Sequence, residues 1–282
     1  MSLAAIWIQF FPPRNGYELA RILYGAGGKV YMLTRSRENA EAAVARIKAL
    51  YSDKSNVDPS RTRGSIEFIE MDVEDFNSVK RASQDFLSRE WRLDILFNNA
   101  GTGARKDAPP LAQGHEYHFA VNILGGGTAR DLPGNSVRVV YPASIAVEMM
   151  TPKSGINPTF LENTQSVTDL NELYSTSKAG AYNTPVVYIA GNPGNYVTNI
   201  WRRTPALLYY LLGPILRDPV QGAETYLWMA FSESVTAEEA QFGAYATCDG
   251  RWHPGQRSDI RGSGRASELF DWCEAKVGKF VQ

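Results

Sequence analysis

The chain has 282 residues, which is enough for one large α/β domain with a sizeable buried core. Its formal net charge is −1, so charge gives no argument for a nucleic-acid partner. The two cysteines form no disulfide or metal-ligand pattern, which favours a reduced, cytoplasmic setting. No apolar run approaches the roughly 20 residues that span a bilayer, and the N-terminus lacks the features of a secretory signal. We therefore expect a single domain over residues 1–282, without a transmembrane segment.

Strands and helices are predicted to alternate through the first part of the chain. Short apolar runs predict buried strands at 4–8, 29–34, 65–71 and 93–97. Helical patterns lie between them at 17–24, 38–51 and 76–91. Strands that alternate with helices pair in parallel, so we expect an α/β fold with a doubly wound parallel sheet between two helical layers. Such sheets bind ligands outside the carboxyl ends of their strands.

The second part of the chain continues this pattern less regularly. Further strands are predicted at 137–141, 186–190 and 243–247, and the last of these is expected to end the sheet. Further helices are predicted within 169–184 and at 223–231 and 266–277. Pro152, Gly155 and Pro158 predict an irregular loop between Ser144 and Tyr174, which could cover a substrate or lie on the surface.

An apolar and aromatic segment at 201–216 has three interpretations. It could form a pocket for a lipophilic substrate, because such pockets are lined by apolar and aromatic side chains. It could equally pack into the core as one face of an amphipathic helix. Contact with a membrane surface is a weaker option, based on the arginines that flank the segment.

Tyr174 and Lys178 are four residues apart, which places them one turn apart on one face of a predicted helix. An ammonium group beside a phenol favours the phenolate and is expected to lower the pKa of the tyrosine. Such a phenol can give a proton to a developing alkoxide or take one from an alcohol. The same spacing is common on solvated helix faces, so other residues must decide whether the pair is functional.

Polar residues follow the predicted strands in an ordered series. Arg35 follows the second strand, Asp72 the third, and the sequence Asn-Asn-Ala-Gly at 98–101 the fourth. Later landmarks, in chain order, are Asn122, Ser144, Tyr174, Lys178, Asn192, Pro193, Gly194 and Thr198. In residues and order, this series resembles the short-chain dehydrogenase/reductase family over residues 16–281, near its fungal, retinol-dehydrogenase-like branch.

The resemblance implies a Rossmann-like fold and an NADP(H)-dependent oxidoreductase that interconverts an alcohol and a carbonyl on a small, lipophilic substrate. Tyr174 would be the acid–base group, Lys178 would lower its pKa and bind ribose hydroxyls, and Ser144 would hold the substrate oxygen. Asn122 would anchor a proton-relay water as the fourth catalytic residue. The cofactor-binding residues implied are Arg14, Gly16, Arg35, Asp72, Asn98, Ala100, Gly101, Tyr174, Lys178, Pro193, Gly194 and Thr198.

Three of these positions have more specific implied contacts. Asp72 would meet the adenine, Asn98 the adenine ribose, and Thr198 the nicotinamide carboxamide. Arg35 stands where NADP-preferring members keep a base for the 2′-phosphate. A guanidinium forks onto a phosphate, whereas NAD users place a carboxylate at the ribose. The alternative for Arg35 is a solvated charge after a strand.

The glycine-rich turn of the family, between its first strand and first helix, is altered in this chain. Gln9, Phe10, Arg14 and Gly16 stand where the family has Thr, Gly, Gly and Gly. Backbone amides of that turn cradle a pyrophosphate, and the two prolines at 12 and 13 have no amide hydrogen to donate. We therefore expect weakened NADPH binding, with the charge of Arg14 as a partial substitute.

Two connections are shorter than the family's. Three consecutive glycines at 125–127 weaken the helix after Asn122, and Pro185 limits the helix that holds Tyr174. These two helices usually form the family's dimer interface, so a homodimer is an open option.

His115 and His118 lie one helical turn apart, but catalytic zinc needs a third protein ligand and none stands near in sequence. We expect no metal site.

Three interpretations of the whole chain stay open. The first is a working NADP(H)-dependent oxidoreductase. The second is a catalytically weak or inactive relative that binds a small molecule, or performs non-redox chemistry, in the same pocket. The third is a chain with wrongly joined segments, because its losses are compact gaps beside well-kept motifs. A change in NADPH fluorescence on adding the protein would separate the first interpretation from the others.

Overall fold

The computed structural model of the protein describes residues 6–9, 15–52, 64–106, 108, 111, 113–124, 137–164, 166–179, 187–197, 206–241, 243–261 and 265–281. The strands within them are β1 (Ile6–Gln9), β2 (Lys29–Thr34), β3 (Ser65–Glu70), β4 (Ile95–Phe97), β5 (Arg138–Pro142), β6 (Val187–Gly191), β7 (Tyr245–Thr247) and β8 (Arg251–Trp252). The helices are α1 (Asn15–Gly25), α2 (Arg37–Leu50), α3 (Phe76–Arg89), α4 (Tyr117–Asn122), α5 (Ala146–Met150), α6 (Pro158–Glu162), α7 (Leu170–Ala179), α8 (Ala206–Leu212), α9 (Pro219–Phe231), α10 (Ala237–Gln241), α11 (Ser258–Arg261) and α12 (Arg265–Val281), with a 3-10 turn at Gly213–Ile215.

These strands form one sheet in the order β3-β2-β1-β4-β5-β6-β7-β8. Strands β1 to β7 pair in parallel, and β8 runs antiparallel to β7. The sheet first grows from β1 toward β3, and the chain then returns to the other side of β1 with β4. This reversal between β1 and β4 is where doubly wound sheets form their ligand crevice. The predicted Rossmann-like α/β fold is confirmed.

Both faces of the sheet are covered, as alternate residues of β2 show. Val30 and Met32 pack into the apolar cluster that contains Leu19 of α1. Tyr31 and Leu33 pack into a second cluster, which also holds apolar side chains of α3, α4 and α12. Because successive side chains of a strand point to opposite faces, the two clusters lie on opposite sides of the sheet. This accounts for the continuous apolar character of the strand.

Local hydrogen bonds fix two helix boundaries, one before β2 begins and one after it ends. Helix α1 ends at Gly25, where the Gly28 amide donates to the Leu23 carbonyl at 2.8 Å. Gly27 there has a φ of 88°, a conformation that favours glycine at a helix C-terminus. Helix α2 begins after Ser36, whose hydroxyl accepts from the Asn39 amide at 3.3 Å. The residue before Ser36 is thereby held between β2 and α2.

The predicted end of the sheet is wrong. The strand expected at 243–247 appears as β7, but β8 follows it and pairs Trp252 with Ala246. The Gly250 amide donates to the Thr247 carbonyl at 3.2 Å, and Gly250 has a φ of 65°. A tight turn therefore reverses the chain. A strand of two residues is too short to show a period in the sequence.

The irregular loop predicted between Ser144 and Tyr174 contains two short helices, α5 and α6. Asn157 caps α6, and Phe160 within it stacks on Phe119 of α4 with ring centroids 4.0 Å apart. The Trp272 indole of α12 donates to the Leu161 carbonyl at 3.0 Å. Helix α6 therefore packs on α4 and α12, and the role of the loop at a substrate stays a prediction.

Candidate active site

The backbone around Ser144 is fixed from two sides. The Ala143 amide donates to the Gly191 carbonyl at the end of β6, at 2.8 Å. The Tyr245 hydroxyl of β7 donates to the Ser144 carbonyl at 2.9 Å. These bonds hold the segment after β5 against β6 and β7. The Ser144 side chain therefore stands at the carboxyl edge of the sheet.

Ser144 and Tyr174 meet through their side chains. The Ser144 hydroxyl interacts with the Tyr174 phenol and lowers its pKa, and it also accepts from the Ala146 amide at 3.2 Å. Tyr174 lies on α7, which packs against α5. The structure thus brings together the two hydroxyl groups that the sequence reasoning placed around one substrate oxygen.

Lys178 is buried, with 6% of its surface exposed, one helical turn beyond Tyr174. Its ammonium donates to the Pro142 carbonyl of β5 at 3.1 Å. Burial lowers the pKa of Lys178 to about 8, because a charged ammonium is poorly solvated there. A Cβ added to Gly101 would lie 2.8 Å from the Lys178 Nζ, so the bare glycine leaves room in front of this group.

The expected direction of the Tyr174 pKa shift is wrong for the protein as the structure shows it. Burial raises the pKa of Tyr174, and the interaction with Ser144 acts in the opposite direction without cancelling it. Burial disfavours the charged phenolate, and the nearby ammonium of Lys178 is directed to the Pro142 carbonyl. The phenol is therefore protonated at neutral pH.

Asn122 connects the loop after β4 to α7. Its side-chain oxygen accepts from the Thr102 amide at 2.8 Å, and its side-chain nitrogen donates to the Ser177 hydroxyl at 2.8 Å and to the Thr102 carbonyl at 3.3 Å. Its backbone carbonyl accepts from the Tyr141 hydroxyl. The role predicted for Asn122 in a proton relay stays a prediction, since the structure shows it as a buried brace.

The residues expected to bind the adenosine part of a cofactor lie after the ends of β2, β3 and β4. Arg35 Nη1 is 3.1 Å from Glu74 Oε1, and Asp72 Oδ1 accepts from the Glu74 amide at 3.0 Å. Asn98 is buried, and its side-chain oxygen has no hydrogen-bond partner among the residues that the structure describes. An unpaired buried carbonyl of this kind is costly, which is typical of a group that binds a ligand.

The remaining predicted cofactor residues are only partly described. Gly16 is buried in the first turn of α1, and Ala100 is buried beside Gly101. Pro193 follows β6, and Gly194 after it has a φ of 101°. Arg14, Thr198 and the altered turn at 10–14 lie outside the described residues.

A nicotinamide dinucleotide fits the described part of this edge. The free oxygen of Asn98 would accept a hydroxyl hydrogen, and the space in front of Gly101 would let a ribose reach the ammonium of Lys178. Lysine has three donor hydrogens, and the Pro142 carbonyl takes one of them. These groups suit ribose hydroxyls, which both donate and accept hydrogen bonds.

The region near Ser144 presents apolar side chains to the outside. Ile145 and Met149 are exposed at 47% and 72% of their surface. On α8, Leu207, Tyr210 and Leu211 are also exposed, so the core-packing interpretation of the segment at 201–216 is wrong for these three side chains.

His118 has a structural role. Its Nδ1 is 2.7 Å from Glu116 Oε1, and its Nε2 is 3.1 Å from the Arg105 amide, which must be the donor. Both ring nitrogens are thereby engaged. Among the described residues, no group of three or more potential ligands could hold a metal ion. Within the same residues, no helix is both long and apolar enough to cross a membrane.

Sequence reasoning missed Glu74, Tyr141 and Tyr245. Tyr141 lies within the buried strand β5, and Tyr245 begins β7. A buried phenol needs a hydrogen-bond partner, so each tyrosine was a signal. Glu74 gave no comparable signal, because its partner Arg35 lies 39 residues away in the sequence, after a different strand.

A doubly wound sheet with a serine, a tyrosine and a lysine gathered at its carboxyl edge defines a class of NAD(P)-binding oxidoreductases. A model of the short-chain dehydrogenases matches residues 16–129. A short-chain dehydrogenase/reductase from Phomopsis amygdali is 33% identical over 304 residues, covering 94% of this chain and 87% of the relative. Another, bet4 from Neocamarosporium betae, is 28% identical and covers 99% of this chain and 94% of the relative. The chain belongs to the short-chain dehydrogenase/reductase family.

Solved structures show the same fold. An uncharacterized protein from Mycobacterium paratuberculosis superposes with a TM-score of 0.68 at 22% identity, covering 98% of this chain and 94% of that one. An RhlG–NADP active-site complex from Pseudomonas aeruginosa gives a TM-score of 0.58 at 19% identity, covering 89% of this chain and 96% of that one.

The alignment to the Phomopsis relative runs over 304 positions, more than the 282 residues present here, so that relative contains residues that this chain lacks.

Proposed function

We propose that this protein is an NADP(H)-dependent oxidoreductase that interconverts an alcohol and a carbonyl on a small, lipophilic substrate. The observation that carries the proposal is the interaction between the Ser144 and Tyr174 side chains, with Lys178 one helical turn further along. Two hydroxyl groups in mutual contact can both reach one substrate oxygen.

A bound nicotinamide would supply or accept the hydride. In the reduction direction, the Tyr174 phenol donates its proton to the carbonyl oxygen of the substrate while the Ser144 hydroxyl positions that oxygen. The resulting phenolate is stabilised by the positive charge of Lys178 on the same helix. Burial keeps Tyr174 protonated beforehand, which suits proton donation and therefore supports reduction.

The described residues also support the choice of ligands. Lys178, Gly101 and Asn98 would hold the ribose groups, and Arg35 offers a guanidinium to a 2′-phosphate. The exposed apolar side chains of Ile145 and Met149 beside Ser144 suit a lipophilic substrate, because their contact with such a substrate removes apolar surface from water.

Three further points are part of the proposal. The free thiols of Cys248 and Cys273 support a cytoplasmic setting. Residues 1–282 are proposed to form one domain, because the described strands belong to a single sheet. A homodimer stays a prediction.

The second candidate is a weak or inactive relative that binds a small molecule or performs non-redox chemistry, favoured by the prolines at 12 and 13 in the phosphate turn. The test is a fluorescence titration with NADPH, followed by a screen of lipophilic aldehydes and ketones. NADPH binding with turnover that Ser144→Ala removes supports the oxidoreductase. Absence of any NADPH binding, or turnover unchanged by Ser144→Ala, contradicts it.

A further inference from the structure

Arg35 and Glu74 form an ion pair at the edge of the sheet. Arg35 Nη1 lies 3.1 Å from Glu74 Oε1, with the Arg35 side chain 50% exposed and that of Glu74 19% exposed. Arg35 directly follows β2, and Glu74 lies in the loop that follows β3. The guanidinium expected to meet a 2′-phosphate therefore already has a carboxylate partner.

Glu74 is held in this position by groups behind it. Its amide donates to Asp72 Oδ1 at 3.0 Å. The buried Tyr117 hydroxyl donates to its carboxylate at 3.4 Å and in turn accepts from Arg105 Nη1 at 3.2 Å. Moving the carboxylate away from Arg35 would break the contact with the phenol. Glu74 therefore remains near any phosphate that Arg35 binds.

The two nicotinamide cofactors differ at this position in charge. A 2′-phosphate carries up to two negative charges and is repelled by a carboxylate within a few ångströms. A ribose 2′-hydroxyl is neutral and can donate a hydrogen bond to the same carboxylate. Glu74 thus penalises only the phosphorylated ligand, whereas Arg35 favours it.

We propose that Glu74 is a specificity-determining residue that competes with the 2′-phosphate for Arg35 and so reduces the preference for NADPH over NADH. This inference rests on the proposed function, because it requires a nicotinamide nucleotide at this edge. In this proposal Arg35 attracts the 2′-phosphate, whereas Glu74 repels it. The preference for NADPH is the net result of both residues.

The probes are adenosine 2′,5′-bisphosphate and 5′-AMP, measured by calorimetry, together with NADPH and NADH measured by fluorescence. The two adenosine nucleotides differ only in the 2′-phosphate, and neither requires turnover. The variants are Glu74→Gln, which keeps the shape of the side chain, and Arg35→Ala. Glu67→Gln is the matched control, since Glu67 lies in β3 opposite Tyr31 and pairs with Arg89 at 3.3 Å.

Glu74→Gln should raise the preference for the 2′-phosphorylated ligand by about three- to tenfold at low ionic strength, and less at high salt. Arg35→Ala should remove most of the preference, and Glu67→Gln should leave it unchanged. A preference that Glu74→Gln does not increase, or that Glu67→Gln increases equally, overturns the role of Glu74 while leaving the proposed function intact. If none of the four nucleotides binds any variant, both proposals fail.

Discussion

Two cations at the same edge of the sheet differ in nearly every physical respect. Lys178 is buried, donates to the backbone carbonyl of Pro142, and has its pKa lowered to about 8 by burial. Arg35 is half exposed and faces the carboxylate of Glu74. A buried charge has a large effect on the free energy of unfolding, and salt changes that effect little. An exposed charge has a small effect, and salt screens it. After their proposed functions, we call the surroundings of Lys178 the catalytic end and those of Arg35 the adenosine end. The catalytic end should therefore tolerate little change, and the adenosine end should be adjustable.

The largest effect is expected at the catalytic end, from Tyr174→Phe. Removing the hydroxyl removes the proton donor, and loss of a general acid typically lowers the rate by about 10²–10⁴-fold. Turnover number and nucleotide affinity should be measured separately, with affinity expected to change little.

Tyr188→Phe is the matched control for Tyr174→Phe, because it removes a phenol hydroxyl from β6, a different element of the fold. A Tyr174→Phe protein with more than a tenth of the original turnover number would mean that another group donates the proton.

Asn122→Ala should show that the catalytic end depends on buried hydrogen bonds. It leaves the Thr102 amide without its partner and removes the bond to the Ser177 hydroxyl, which keeps its bond to the Tyr174 carbonyl. An unpaired buried group costs about 1–3 kcal/mol. Chemical unfolding should show the loss. Asn39→Ala, on the exposed face of α2, should stay within about 0.5 kcal/mol. Equal losses in both variants would contradict the role of Asn122 as a brace.

The pH dependence of stability tests the burial of Lys178 directly. Its pKa in the folded protein, about 8, is below the ordinary value of 10.5, so above pH 8 the unfolded chain binds more protons at this site than the folded protein does. The contribution of this site to stability then rises with pH, by about 1–2 kcal/mol between pH 7 and pH 9.5.

Lys178→Met should abolish this rise in the free energy of unfolding, measured in denaturant at several pH values. The measurements end at pH 9.5 because Tyr174 affects stability at higher pH. Burial raises the pKa of its phenol in the folded protein. Once tyrosine in the unfolded chain ionises near pH 10, the contribution of Tyr174 to the free energy of unfolding falls. An equal rise in Lys178→Met would assign it to another group.

The smallest effect on stability is expected at the adenosine end. Arg35→Ala removes an exposed ion pair, and such pairs contribute about 0–1 kcal/mol. The free energy of unfolding should change by less than about 1 kcal/mol, and added salt should reduce the difference further. A larger loss that persists in high salt would show that Arg35 has a structural role like that of Lys178, and the contrast between the two cations would fail.

The sequence was most informative where local patterns set the structure. The bounds of β2 were predicted to the residue. Its apolar run lies between a glycine pair and the serine that caps α2, so neighbouring residues mark both ends of the strand. The meeting of Ser144 and Tyr174 followed from the resemblance, since parallel strands bring their carboxyl ends to one edge.

What the sequence could not predict depends on contacts across the fold. The raised pKa of Tyr174 comes from burial, which no local pattern reports. The pairing of Arg35 with Glu74 joins the ends of two strands 39 residues apart. The packing of α6 through Phe160 on Phe119 required the arrangement of three helices to be known.

The bond from the Tyr245 hydroxyl to the Ser144 carbonyl joins residues 101 positions apart. During synthesis, Ser144, Tyr174 and Lys178 therefore leave the ribosome well before the strand that fixes the first of them. A nascent chain halted before Tyr245 would carry all three side chains but would lack β7, which has not yet been synthesised. Contacts between residues so distant in sequence form late in folding. Catalytic competence should thus appear only after β7 has been synthesised and has joined the sheet.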